Sequence, residues 1–167
     1  MNHPVALFLV CLFLAGILGC QPDAQTPSAE QPTDDGADSL VLSDPFAPAA
    51  PETGTSAVFV TIQGASEPDT LVQAEFAGAE RIELHETFDA GNGLSGMREI
   101  EGGIPVAAVD GVVLKPGGYH IMLIGLTEAL AAGDTLAINL GFARSGEQLL
   151  RVPILSLEDM PARRQAE

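Results

Sequence analysis

Past its first twenty residues the sequence holds two histidines, His85 and His120, and three methionines, Met97, Met122 and Met160. Four of these five fall in a 38-residue window. His120 and Met122 are separated by one residue in the apolar run Tyr119–Leu126, which reads as a strand. Side chains two apart on a strand leave the same face with roughly 6–7 Å between their backbone atoms, a workable bite for two ligands of one ion. Tyr119, Ile121 and Leu123 then face the other way. By the same alternation His85 belongs with Arg81 and Glu83 rather than with Ile82 and Leu84. This places it outward, at the end of the strand Glu80–Leu84, where a loop begins. Met97 follows the glycine-rich connection Ala90-Gly91-Asn92-Gly93-Leu94-Ser95-Gly96 and returns beside His85 if the flanking strands pair.

Ligand type then selects the metal. Thioethers are neutral and soft and favour copper(I) over calcium or magnesium, and imidazole serves copper and zinc alike. Structural zinc prefers Cys with His, so two His with two Met suit it poorly. Each residue also has a plainer reading, since a lone Met on a strand is usually a core filler and a lone His a surface residue. Met160, near the polar end, takes the plainer reading. Glu83 and Glu86 flank His85 and could form an acid–base pair, but carboxylates at outward strand positions are more often a solvated face, which is the expectation here.

The elements that must position these residues begin after a leader. Val5–Leu18 is apolar but shorter than the about 20 residues that span a bilayer, and it reads as a secretory signal. It ends in Ile17-Leu18-Gly19-Cys20, which resembles the lipobox of bacterial lipoproteins, with Cys20 as the lipidated residue and 1–19 as the signal peptide. Cys11 lies in the removed segment, so the mature chain is expected to have neither a free thiol nor a disulfide. Residues 20–52 read as an acidic, Pro-rich disordered tether interrupted by Leu40-Val41-Leu42 and Phe46. The net charge of −16 makes nucleic acid and anionic membrane surfaces poor partners and favours cations.

From about residue 53 to 158, short runs rich in Val, Ile, Leu and Phe are broken every eight to twelve residues by Gly, Pro or Asp. That pattern predicts a β-sandwich or barrel. Strands are expected at 57–63, 70–76, 80–84, 97–99, 109–114, 119–126, 135–142 and 148–154. Lys115-Pro116-Gly117-Gly118 suits a type II turn, and Ala132-Gly133-Asp134 and Ser145-Gly146-Glu147 suit hairpin connections. Residues 159–167 read as a flexible tail. No Ser-His-Asp spacing, His–carboxylate metal triad or phosphate-cradling loop stands out, so no enzyme is expected.

Three stretches carry a family likeness: Glu80-Arg81-Ile82-Glu83-Leu84-His85-Glu86, then Met97-Arg98, then Leu114-Lys115-Pro116-Gly117-Gly118-Tyr119-His120-Ile121-Met122-Leu123-Ile124-Gly125-Leu126. Together they resemble the periplasmic copper chaperones called PCu(A)C, over about Ala57 to Pro153. The resemblance implies a cupredoxin-like Greek-key β-sandwich that binds Cu(I) through His85, Met97, His120 and Met122. It also implies delivery of copper to the CuA centre in subunit II of cytochrome c oxidase, alongside Sco-type proteins, from a lipid-anchored position in the bacterial cell envelope or periplasm. Where many relatives carry further Met residues after the first His, this chain has Glu86, Thr87 and Phe88, and its interval from His85 to Met97 is about one residue longer. The alternative from another class is a metal-free structural or adhesion-type β-sandwich.

Overall fold

The computed structural model describes residues 39–160, all within the compact unit Asp34–Glu167. The expected signal peptide, Cys20 and the part of the expected tail beyond Met160 lie outside the described residues. The described chain is all-β, with ten strands: β1 (Val41–Pro48), β2 (Thr55–Gln63), β3 (Asp69–Glu75), β4 (Ala79–Gly91), β5 (Leu94–Glu99), β6 (Ile104–Val106), β7 (Val112–Leu114), β8 (Tyr119–Leu126), β9 (Thr135–Phe142) and β10 (Gly146–Leu155).

Hydrogen bonding links the strands in the order β5-β4-β8-β2-β1-β10-β9-β3-β6, with β7 on β2. The sheet folds into two leaves, β5-β4-β8-β2 and β10-β9-β3-β6, hinged by β1, and one apolar cluster fills the space between them. Alternation explains which residues enter it. Leu136, Ile138 and Leu140 of β9 are buried while Thr135, Ala137 and Asn139 are exposed. Val58, Val60 and Ile62 of β2, with Ile121 and Leu123 of β8, supply the opposing wall. An antiparallel strand with one wet face needs this period of two.

Strand β1 corrects the expected tether. The chain from Val41 to Pro48 is a strand, not a disordered segment, and the domain begins well before residue 53. It pairs antiparallel with β2 at its start and parallel with β10 at its end, around an irregularity between Ser43 and Phe46 where Asp44 has φ 51°. Leu40 and Ala47 are buried by this pairing and offset the ordering of a proline-rich segment. Residues 20–38 of the expected tether lie outside the described residues.

Two connections differ from expectation, and two match. Ala132-Gly133-Asp134 joins β8 to β9, which do not pair, so it carries the chain between leaves instead of closing a hairpin. The glycine-rich stretch expected as a connection is mostly strand. Gly91 pairs with Leu94 across a two-residue turn in which Asn92 and Gly93 have φ 55° and 75°. Asn-Gly favours this type I′ geometry because both residues tolerate φ > 0. Lys115–Gly118 is the expected turn, with Gly117 at φ 80° and the Gly118 N–H donating to Lys115 O at 3.0 Å. Ser145-Gly146-Glu147 lies where β9 turns back into its partner β10.

Candidate metal centre

Register decides whether the four residues converge. β4 lies between β5 and β8, with His85 opposite His120, Glu83 opposite Met122, and Thr87 opposite Met97. Residues directly opposite share a face, so His85, Met97, His120 and Met122 all project from the side of this leaf that faces away from the core. The intervening residues Leu84, Ile121 and Leu123 are the core. His85 does not end a strand, as its alternation had suggested: β4 continues to Gly91, and His85 sits in its middle, half-buried.

Neighbouring segments wall the site. A cleft of about 270 Å³ is lined by Phe59, Thr87, Met97, Pro116, His120 and Met122, among others. His85 is not part of that lining. It reaches the site through the His120 ring, against which it packs edge-on with centroids 5.7 Å apart. His120 also meets Phe59, with ring centroids 6.2 Å apart, and Phe59 in turn packs on Phe46 at 5.0 Å. Phe46 and Pro48 come from β1, so the strand missed in the sequence forms one edge of the site. A larger open groove of about 600 Å³ along Ala74–Ile82 contains neither His nor Met.

Partner chemistry settles which ring nitrogens are free. Nδ1 of His120 lies 3.0 Å from the Gly118 carbonyl, which can only accept, so Nδ1 carries the proton and Nε2 keeps its lone pair. Burial lowers the His120 pKa below its ordinary value; the Gly118 bond opposes this and the nearby His85 adds to it. The imidazole is therefore neutral at neutral pH, as a ligand must be. In His85, Nε2 lies 2.8 Å from Oε2 of Glu83 and must donate to it, while Nδ1 is buried with no hydrogen-bond partner. An orphaned buried acceptor costs about 1–3 kcal/mol, and an electrophile bound there removes that cost.

The donor set fits a soft monovalent cation. Two imidazoles joined to one ion by bonds of about 2 Å bring their ring centroids to about 5–6 Å, close to the spacing found here. Among the described residues no group of three or more His, Cys, Asp or Glu is placed to hold a metal ion. Met97 stands apart in being 59% exposed, on the outermost strand of the leaf.

The carboxylates beside His85 part company. Glu86 projects to the opposite face, where it pairs with Arg98, whose guanidinium also lies 5.0 Å over the Phe88 ring. Glu83 is half-buried against His85 and does not belong to a solvated face as expected. Its spacing of two from His85 on a strand was the signal available for that contact.

Residues 40–154 match the family described as "Putative lipoprotein LpqE-like", a span that starts one residue before β1. The chain is also 31% identical over 146 residues to "Putative lipoprotein Lxx21020" of Leifsonia xyli subsp. xyli, covering 87% of this chain and 86% of that protein. This chain belongs to the LpqE-like family. Among solved structures, the fold of this LpqE-like protein is similar to the apo PCuAC domain from PmoF1, with TM-score 0.57 and 19% identity over 70% of this chain and 93% of the other. It is similar at TM-score 0.57 and 18% identity to the copper-bound PCuAC domain from PmoF2, over 70% and 92% of the two chains. The Cu(I) form of DR1885 from Deinococcus radiodurans matches at TM-score 0.55 and 24% identity, over 72% and 83%. At these identities the likeness establishes the β-sandwich fold alone.

Proposed function

We propose that this LpqE-like protein is an extracytoplasmic copper(I) carrier that holds the ion with His85, Met97, His120 and Met122. The observation that supports this reading is that two imidazoles and two thioethers share one sheet face, beside a cleft that His120, Met97 and Met122 line. Such a set leaves the bound ion its single positive charge in an acidic protein and holds copper(I) without a thiolate. Two solved structures of the same fold, the copper-bound PCuAC domain from PmoF2 and the Cu(I) form of DR1885, support the choice of cargo.

Transfer requires ligand exchange and no covalent chemistry. Met97 is the exposed donor, so an acceptor ligand displaces it first, while His120, fixed by Gly118, leaves last. Lipid on Cys20 holds the carrier at the bacterial envelope, and the acidic segment after it gives the domain reach. The acceptor in this reading is the CuA centre of cytochrome c oxidase, with Sco-type proteins as companions.

The test is an anaerobic copper(I) titration of the full chain in detergent micelles against a chromogenic chelator, repeated with His120→Ala and Met97→Leu. The expected result is tight one-to-one binding, weakened about a hundredfold or more by the first substitution and about tenfold by the second. Absence of binding by the unaltered chain favours the metal-free structural sandwich instead.

A further inference from the structure

We propose that Glu83 is the positioning residue of the copper site, fixing His85 so that it presents Nδ1 while His120 presents Nε2. The proposal rests on the copper(I) reading above. Glu83 makes two contacts of unequal quality. Its Oε1 lies 3.4 Å from Nη2 of Arg81, a side chain 65% exposed. Exposed pairs of that kind contribute about 0–1 kcal/mol, too little to hold a carboxylate in place. Its Oε2 lies 2.8 Å from His85 Nε2, and both side chains there are mostly buried.

Because a carboxylate only accepts, this contact holds the ring proton on Nε2. Nδ1 is thereby left as an acceptor, in a place where no protein donor reaches it. Had the ring taken the other tautomer, Nδ1–H would be an orphaned donor and Nε2 would face a carboxylate lone pair. Glu99, opposite His85 on β5, also projects to this face but is exposed and makes no hydrogen bond to the ring. The two histidines are thus locked by different means, a carboxylate for His85 and the Gly118 carbonyl for His120, and they offer opposite nitrogens. A carboxylate behind a ligating imidazole also raises its basicity and partly balances the charge of the ion.

Nitrogen-15 long-range spectra of the full chain in micelles read this directly, with and without copper(I), for the unaltered protein, Glu83→Gln and Glu83→Ala. The expected apo spectrum has His85 protonated on Nε2, and copper(I) perturbs Nδ1 of His85 and Nε2 of His120. Glu83→Ala should mix the His85 tautomers and weaken copper(I) binding about 10–100-fold, and Glu83→Gln, which keeps an acceptor oxygen, should restore most of both. Perturbation of His85 Nε2 by copper, or an unchanged tautomer and affinity in Glu83→Ala, overturns the proposal. If the unaltered chain takes up no copper, the carrier reading and the ligand role of Nδ1 fall together, while the apo tautomer still separates a Glu83 lock from none.

Discussion

β9 and β8 are both eight-residue antiparallel strands, yet they treat their outward faces differently. β9 sets Leu136, Ile138 and Leu140 inward and leaves Thr135, Ala137 and Asn139 to water. β8 sets Ile121 and Leu123 inward just as firmly, but its other face carries His120, which is buried, and Met122, which is half-buried. The β9 leaf spends one face on the core and the other on solubility. The β8 leaf devotes its second face to the candidate site, bordered by Pro48 of β1 and by the turn at Pro116. Scaffold stability and ligand placement are therefore expected to separate between leaves, and substitutions in each should say how far.

The largest effect belongs to the scaffold leaf. Ile138 is fully buried, and Ile138→Ala should cost about 3–4 kcal/mol of unfolding free energy through lost transfer and the cavity left behind. Urea denaturation measures this, and the copper(I) affinity of the folded fraction should stay within a factor of two or so. A parallel loss of affinity would show that the leaves act as one unit and break the comparison.

Asp69 gives the same leaf a pH-dependent clamp. It is buried at the start of β3 and accepts hydrogen bonds from the amides of Thr70, Arg144 and Ser145 and from the Ser145 hydroxyl, tying β3 to the β9–β10 turn. Burial alone would raise its pKa, but the Ser145 hydroxyl and the three amides outweigh it and hold the carboxyl below its ordinary value. A folded pKa lower than the unfolded one contributes stability that is complete above the unfolded value, near 3.8, and is lost as pH falls through the folded value. Asp69→Asn should cost about 2 kcal/mol at pH 7 and flatten the acid limb of the stability curve, again with copper affinity unchanged. Chemical denaturation between pH 7 and pH 2 checks both halves of this expectation.

Legibility in the sequence follows the same division. Where one face is core and the other water, as in β9 and β10, the period of two gave the strands nearly to the residue. The shared outward face of His120 and Met122 was equally readable, since Ile121 and Leu123 announce which face is core. What escaped were elements whose reason lies in tertiary pairing. β1 contains Pro45 and Pro48 and little alternation, and it is a strand because β2 and β10 both offer it edges. The outer parts of β4 and β5 are polar and exposed, so burial gave no signal there; Asn92-Gly93 did, and it marks a hairpin more strongly than the glycine count marks a loop. Glu83 looked like surface because its partner is a half-buried ring on its own strand.

That hairpin supplies the smallest and most local test. Its tip lies beyond the core: from Asp89 to Ser95 every residue is exposed, and the turn is held by three successive φ > 0 residues, Gly91, Asn92 and Gly93, and by Asp89 Oδ1 accepting from the Gly91 N–H at 2.7 Å. Turn chemistry therefore sets the register that places Met97 opposite Thr87. Gly93→Ala puts a Cβ at φ 75°, where nothing crowds it but the backbone itself disfavours it, at a cost of about 1 kcal/mol. Amide exchange should quicken across the β4–β5 hairpin alone, with copper(I) affinity falling a few-fold through Met97 and the urea midpoint hardly moving. A global loss of stability like that of Ile138→Ala would mean the hairpin folds with the core. An unchanged affinity, with the hairpin demonstrably loosened, would mean that Met97 contributes to the site without needing its strand register.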